Sequence, residues 1–304
     1  MKRFVFKKWY FIIFAVTFVA ACVLGIVIAY NVYPPIHYQI KSRFTERDTS
    51  KLTTFYDDVQ YCNDKNLRRQ FDLYVPKDQR FGKSPLVVYV HGGGWSEGDR
   101  NNTIQKLYTP ELAAWGIGIA TIDYRLSGEA PYPAQNDDIH CAMKYLVDNS
   151  KKYGYDKTKI VIMGDSAGGH LAAMEALRKT DEVEFKGVIM LYGVSDLWNQ
   201  IENYADKNAV KYLGDRAKET ADKNSPLYAN LSEAPPFLIV HGTNDTIVPS
   251  SESQAFYDKL RSKGISATYI PVAGASHAFI GSDSFHEQLV RDRIMQFAST
   301  EVYR

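Results

Sequence analysis

Cysteine is scarce in this chain, and its spacing excludes more than it suggests. Cys22, Cys62 and Cys141 are the three cysteines among 304 residues. No C-x-x-C pair occurs, which removes the zinc-knuckle and dithiol redox motifs. Cys22 lies inside an N-terminal apolar stretch. Cys62 and Cys141 fit either two buried free thiols or a disulfide in an exported protein, and the sequence does not show that they meet. A basic block is also missing. Lys and Arg number 36 against 35 Asp and Glu, and Lys2, Arg3, Lys7 and Lys8 all precede the apolar stretch. Without those four the balance is 32 to 35, a mildly acidic body with no concentrated basic footprint, so nucleic acid is not an expected partner. Neither G-x-x-x-x-G-K-[ST] nor G-x-G-x-x-G is present, which removes the common phosphate loops. There is no internal repeat and no low-complexity tract.

What is present begins with Trp9–Tyr30, an uncharged run long enough to cross a bilayer core. The basic residues ahead of it, against Lys41 and Arg43 well after it, place residues 1–8 in the cytoplasm and the remainder outside. Trp9, Tyr10, Tyr30 and Tyr33 bracket the run as interfacial aromatics do, and Pro34 and Pro35 stop a helix. The expectation is a single-pass signal anchor over 9–30 in the cell membrane, a polar linker over 31–52, and an extracytoplasmic body over 53–304. Two alternatives stay open: a cleaved signal peptide, which gives a secreted protein, and a lipoprotein attached through Cys22 in Val19-Ala20-Ala21-Cys22. All three export the body.

Within the body, short apolar runs alternate with helical patterns. Leu86–Val90, Ile117–Ile122, Lys159–Met163, Gly187–Leu191, Phe237–Val240 and Ala267–Ile270 read as strands buried on both faces. Thr53–Tyr61 and Gln70–Val75 alternate in polarity and read as strands at an exposed sheet edge. Helical spacing fills Thr103–Trp115, Gln135–Tyr153, Ala167–Lys179, Ser251–Lys263 and Ser284–Phe297. The alternation predicts an α/β fold, a mostly parallel eight-stranded sheet with helices on both faces, preceded by one transmembrane helix. Residues 195–236 break the rhythm and are expected to form a cap or insertion beside the substrate pocket.

Three loops carry the chemistry. Gly164-Asp165-Ser166-Ala167-Gly168 is a G-x-S-x-G between a strand and a helix, the setting in which a strained turn pushes a serine hydroxyl off the sheet edge. A serine that merely caps the helix gives the same letters. His91-Gly92-Gly93-Gly94-Trp95 follows a strand directly, and backbone N–H groups of Gly93 and Gly94, with that of Ala167, suit an oxyanion hole. His91 and Trp95 read as structural. A serine needs a base and the base an orienting carboxylate, in chain order Ser, Asp, His for this architecture. Asp245 follows the strand Phe237–Val240, and His277 follows the last strand. The rivals are Asp196 for the acid and His286 for the base, while His140 and His170 lie in helices and precede the acid.

Together, His-Gly-Gly-Gly-Trp, Gly-Asp-Ser-Ala-Gly-Gly-His, His-Gly-Thr-Asn-Asp and Ser-His resemble α/β-hydrolase esterases of the hormone-sensitive-lipase-like and feruloyl/acetyl-xylan-esterase-like branch. Asp123-Tyr124-Arg125-Leu126 and Tyr132-Pro133-Ala134-Gln135-Asn136-Asp137-Asp138 are similar to segments that mark the strand, loop and helix before the nucleophile in that branch. The resemblance covers residues 53–300 and implies a serine carboxylesterase without metal or cofactor. Its expected substrates are short-chain, acetyl-like esters, small-molecule or glycan. An amide hydrolase acting on short peptides or arylformamides through the same residues, and a non-catalytic membrane-tethered binding module, are the alternatives. Oligomeric state is not legible.

Overall fold

The computed structural model describes residues 2–33, 48–62, 65–178 and 180–303, with the backbone alone for 2–14. It divides into two units, Met1–Glu46 and Arg47–Arg304. In the first, helix α1 runs Lys2–Val32, longer at both ends than the uncharged run. Its Ala15–Val32 stretch is long and apolar enough to cross a membrane. Such a span suits an anchor or a signal sequence equally. Pro34, Pro35, Lys41 and Arg43, on which the helix stop and the charge asymmetry rest, lie outside the described residues.

The second unit alternates strands and helices in the order α2 (Thr49–Leu52), β1 (Thr53–Gln60), β2 (Gln70–Pro76), β3 (Ser84–Val90), α3 (Thr103–Ala114), β4 (Gly118–Ile122), α4 (Ala134–Tyr153), β5 (Tyr155–Asp165), α5 (Ala167–Ala176), β6 (Phe185–Leu191), α6 (Leu197–Glu202), α7 (Lys207–Leu213), α8 (Ala217–Thr220), β7 (Phe237–Gly242), α9 (Ser250–Ser262), β8 (Ala267–Val272) and α10 (Ser284–Tyr303). One eight-stranded sheet has the spatial order β1-β2-β4-β3-β5-β6-β7-β8. β1 and β2 pair antiparallel, as do β2 and β4, and every other pairing is parallel. The sheet is therefore mixed.

The central strands are apolar because both faces are covered. On β6, a Cβ added at Gly187 would meet the Phe297 ring of α10, while the neighbouring-parity Met190 lies against Gly169 of α5. Successive strand residues point to opposite faces, so these two helices lie on opposite sides of the sheet. Val88, Ile160, Ile162, Val188 and Ile239 are fully buried in the main core.

Two edge assignments change. β2 is an interior strand, flanked by β1 and β4. Its polarity alternates because Asp72, 3% exposed, is matched inside the protein: Arg100 Nε lies 2.9 Å from its Oδ1, and Asp58 N–H donates to it at 2.9 Å. A polar residue buried with a charged partner mimics a solvent-facing position in the sequence. β1 is at one edge as expected, and β8 is at the other, with β7 as its single neighbour and with Thr268 and Pro271 exposed. Its tyrosine is covered by α9, where Tyr257 and Tyr269 lie 6.0 Å apart. The last helix continues to Tyr303, six residues beyond the expected Phe297.

Residues 195–236 form three short helices and three 3-10 turns. Glu252 of α9 ties down their start. Its carboxylate accepts from the Ser195 and Asp196 N–H groups, both at 3.1 Å, and from the Asn199 and Gln200 amides at 2.9 and 2.7 Å. Elsewhere, Cys62 and Cys141 form a disulfide with Cα atoms 5.8 Å apart, joining the residue just past β1 to α4.

Candidate active site

β5 ends at Asp165, and the chain reverses into α5 through Ser166, whose backbone sits at φ 51, ψ −121. That is a costly conformation for a residue with a Cβ. It is held by the close packing of glycine. A Cβ at Gly168 would stand 2.2 Å from the Val90 carbonyl oxygen and 2.4 Å from that of His91. Although Ser166 occupies the helix N-cap, its side chain makes no capping hydrogen bond. Its Oγ lies 3.0 Å from His277 Nε2, and His277 Nδ1 lies 2.7 Å from Asp245 Oδ2. The structure thus brings together Ser166, Asp245 and His277, from the loops after β5, β7 and β8. The geometry goes beyond a capping serine: hydroxyl, imidazole and carboxylate form one hydrogen-bonded line.

Burial works to raise the Asp245 carboxyl, but hydrogen bonds from His241 and His277, the His277 charge and the Val248 N–H outweigh it and hold the group well below the usual carboxylate range. Sequence reasoning gave His241 no role. It is fully buried. Its Nε2 lies 2.9 Å from the Val248 carbonyl and 3.1 Å from Asp245 Oδ2, and its Nδ1 lies 2.7 Å from Ser253 Oγ. An Nε2–H donor shared by carbonyl and carboxylate, with Nδ1 accepting from the serine, satisfies every contact in the neutral ring. The signal available in sequence was its place at the end of β7 in His-Gly-Thr-Asn-Asp.

Asp165 was likewise read only as the variable letter of the motif. It is buried and ties the glycine loop to the nucleophile turn: its Oδ1 accepts from Gly92 N–H at 3.0 Å and from Tyr89 hydroxyl at 2.5 Å. Burial raises its carboxyl above the ordinary value. Gly93 and Gly94 follow with φ of 108 and 55. Their N–H groups donate to no acceptor among the described residues. Ala167 opens α5, so its N–H is an orphan donor of the first helical turn. All three residues line the same cleft as Ser166 and His277.

The remaining candidates are spent elsewhere. His91 stacks on Tyr124 at 4.3 Å, and burial pushes its imidazole down to about 4. His170 is also pushed down to about 4 by burial, lying between Trp95 Nε1 at 3.3 Å and the Asn224 carbonyl at 2.6 Å. His140 bonds Glu175 and Glu182, and His286 bonds Asp283. Asp196 caps α6 through the Asn199 N–H at 3.0 Å and accepts from the Tyr228 hydroxyl at 3.1 Å. None of these rivals joins the Ser166 line.

The cleft measures about 630 Å³. Its floor is the sheet edge, and the 195–236 segment supplies a wall through Gln200, Tyr204 and Asn208. No group of three or more His, Cys, Asp or Glu suited to a metal occurs among the described residues.

The BD-FAE family model matches residues 71–260. This chain belongs to the BD-FAE family. BD-FAE membership covers the nucleophile turn, the glycine loop and Asp245, and stops before His277. Among curated proteins the chain is similar to esterase LipC of Mycobacterium tuberculosis, 29% identical over 229 residues, covering 68% of this chain and 56% of that one. It is also similar to a probable isoprenylcysteine alpha-carbonyl methylesterase of Oryza sativa subsp. japonica, 28% identical over 254 residues, covering 73% and 59%. The chain thus spans little more than half the length of these relatives. Among solved structures it is similar to a truncated carbohydrate esterase from gut microbiota, at TM-score 0.72 and 24% identity over 82% of this chain and 97% of that one. Esterase B from Lactobacillus rhamnosus gives 0.69 and 22%, over 92% and 96%. These structural likenesses establish the fold, that of the α/β hydrolases.

Proposed function

We propose that this protein is a serine carboxylesterase that cleaves short-chain, acetyl-like esters, small-molecule or glycan. The observation that carries the proposal is the Ser166–His277–Asp245 line, with hydrogen bonds of 3.0 and 2.7 Å on a serine held at φ 51. His277 Nε2 takes the Ser166 proton as Oγ attacks the ester carbonyl. The carbonyl oxygen becomes an oxyanion, held by the N–H groups of Gly93, Gly94 and Ala167. Asp245 fixes the ring orientation and balances the imidazolium. His277 Nε2–H then passes its proton to the departing alcohol, leaving an acyl-serine. Water repeats the sequence, yielding the carboxylic acid and free Ser166. This BD-FAE member needs no cofactor for that cycle.

The proposed location is the outer side of a cell membrane, with α1 as anchor. The Cys62–Cys141 disulfide supports export of the body, because such bonds persist in oxidising compartments.

The test is hydrolysis of p-nitrophenyl acetate, butyrate and octanoate by the full chain in detergent, beside Ser166→Ala. The expected result is turnover of the short esters that falls roughly 10⁶-fold in the variant, as for other triad serines. A folded protein idle on every ester, or one that cleaves acetanilides but not acetate esters, would overturn the proposal.

A further inference from the structure

The cleft wall contributed by 195–236 holds an exposed side-chain amide, that of Asn208, whose nitrogen donates to no acceptor among the described hydrogen bonds. Asn208 stands on α7, where Asp206 fixes its backbone through the Asn208 N–H at 2.8 Å. Its side-chain oxygen accepts from the Ser96 hydroxyl of the glycine-loop turn at 3.3 Å. That contact turns Nδ2 toward Gly94, where a Cβ would stand 2.8 Å from it. The glycine therefore seats the amide as well as supplying φ 55. Nδ2 has no acceptor in the described hydrogen bonds, and Asn208, an exposed residue, lines the cleft with Ser166 and His277. The neighbouring amide is tied down instead: Gln200 is buried, and its Nε2 donates one N–H to Glu252 at 2.7 Å.

We infer that Asn208 is a specificity residue whose Nδ2–H donates to an oxygen of the substrate flanking the scissile ester. The inference rests on the esterase reading above. Its chemical content is directional. A donor recognises an acceptor oxygen, either an ether or hydroxyl oxygen, and gains nothing from a methylene of the same size. Selectivity thus comes from the cap, while bond cleavage comes from the sheet edge.

Isosteric ester pairs separate the two sides on which that oxygen can lie. On the acyl side the pair is p-nitrophenyl methoxyacetate and p-nitrophenyl butyrate. On the alcohol side it is 2-methoxyethyl acetate and butyl acetate. Within each pair the ratio of kcat/KM values is measured for the wild type and for Asn208→Leu, so that intrinsic ester reactivity cancels in the comparison. The expected result is a ratio that favours the oxygen-bearing ester roughly five- to tenfold more in the wild type, for one of the two pairs, as one net hydrogen bond allows. Asn208→Asp keeps the shape but carries no donor, so it shows the same loss and guards against misfolding of the leucine variant. Ratios equal in all three proteins for both pairs overturn the inference. Fluorophosphonate labelling of Ser166 is run in parallel: labelled protein with equal ratios sinks the role of Asn208 alone, whereas unlabelled wild type sinks the esterase reading.

Discussion

The nucleophile turn and the cap segment lie on one cleft but are held in place by different physics. Ser166 is fixed by backbone: β5 pairs with β3 and β6 on either side, and Gly168 packs against the carbonyls at the end of β3. Residues 195–200 are fixed by side chains, four donors converging on the single carboxylate of Glu252, 52 to 57 residues away in sequence. The first arrangement tolerates almost no change in shape. The second tolerates change in shape but depends on one carboxyl group. A fold can thus hold one side of a cleft rigid and leave the other side adjustable.

Gly168→Ala attacks the rigid side directly and has the largest expected effect. The new methyl has no room against the Val90 and His91 carbonyls, so overpacking costs about 3 kcal/mol or more. Both the unfolding midpoint in urea and ester turnover fall sharply. A variant with wild-type stability means the turn is not packed as described.

His241→Leu sharpens the comparison from within the site. The change removes one donor to the Asp245 carboxylate and leaves Ser253 and the Val248 carbonyl without their ring partner. A hydrogen bond to a charged group contributes about 1.5–3 kcal/mol, so kcat falls roughly ten- to hundredfold. The fall appears in kcat with KM little changed, since no substrate contact is lost. A change confined to KM places His241 outside the positioning of Asp245.

Glu252→Gln tests the cap, with the smallest effect on the chemical step. The new amide nitrogen faces donors, costing about 1–3 kcal/mol, and KM rises more than kcat falls. Burial raises the Glu252 carboxyl to about 7 despite its four donors. A group whose folded pKa lies above its ordinary 4.5 releases its proton from the unfolded chain first as pH increases. Its contribution therefore erodes stability from about pH 4.5 to about 7 and then levels off. Thermal melts across that window show the wild type losing stability relative to Glu252→Gln as pH rises. Parallel curves mean the carboxyl does not titrate in the fold.

The same contrast explains what the sequence made legible. Parallel strands covered on both faces are continuous runs of Val, Ile and Leu, and Ser166 and Asp245 each follow such a run within a few positions, whereas His277 follows the half-exposed β8. β2 was misplaced because its polar residue is neutralised internally by Arg100, a partner that pattern does not reveal. β8 was misplaced in the opposite sense, since half-buried Ile270 and Tyr269 look like core until their single neighbour is known. The supporting roles of His241, Asp165 and Glu252 come from contacts set by tertiary folding, and no local period announces them. The cap helices, four to seven residues long, are too short to display a helical period at all.

The disulfide has a consequence for how the body comes apart. Cys62 and Cys141, 79 positions apart in sequence, close a covalent ring that contains β2, β3, β4 and the whole glycine loop, and excludes Ser166, Asp245 and His277. In the chain-entropy account such a ring stabilises the fold by roughly 4.5 kcal/mol. A protease that nicks an exposed loop inside the ring releases nothing. The two pieces stay joined, and the loop that would cradle the oxyanion stays tethered to the serine it serves until a reductant opens the bond.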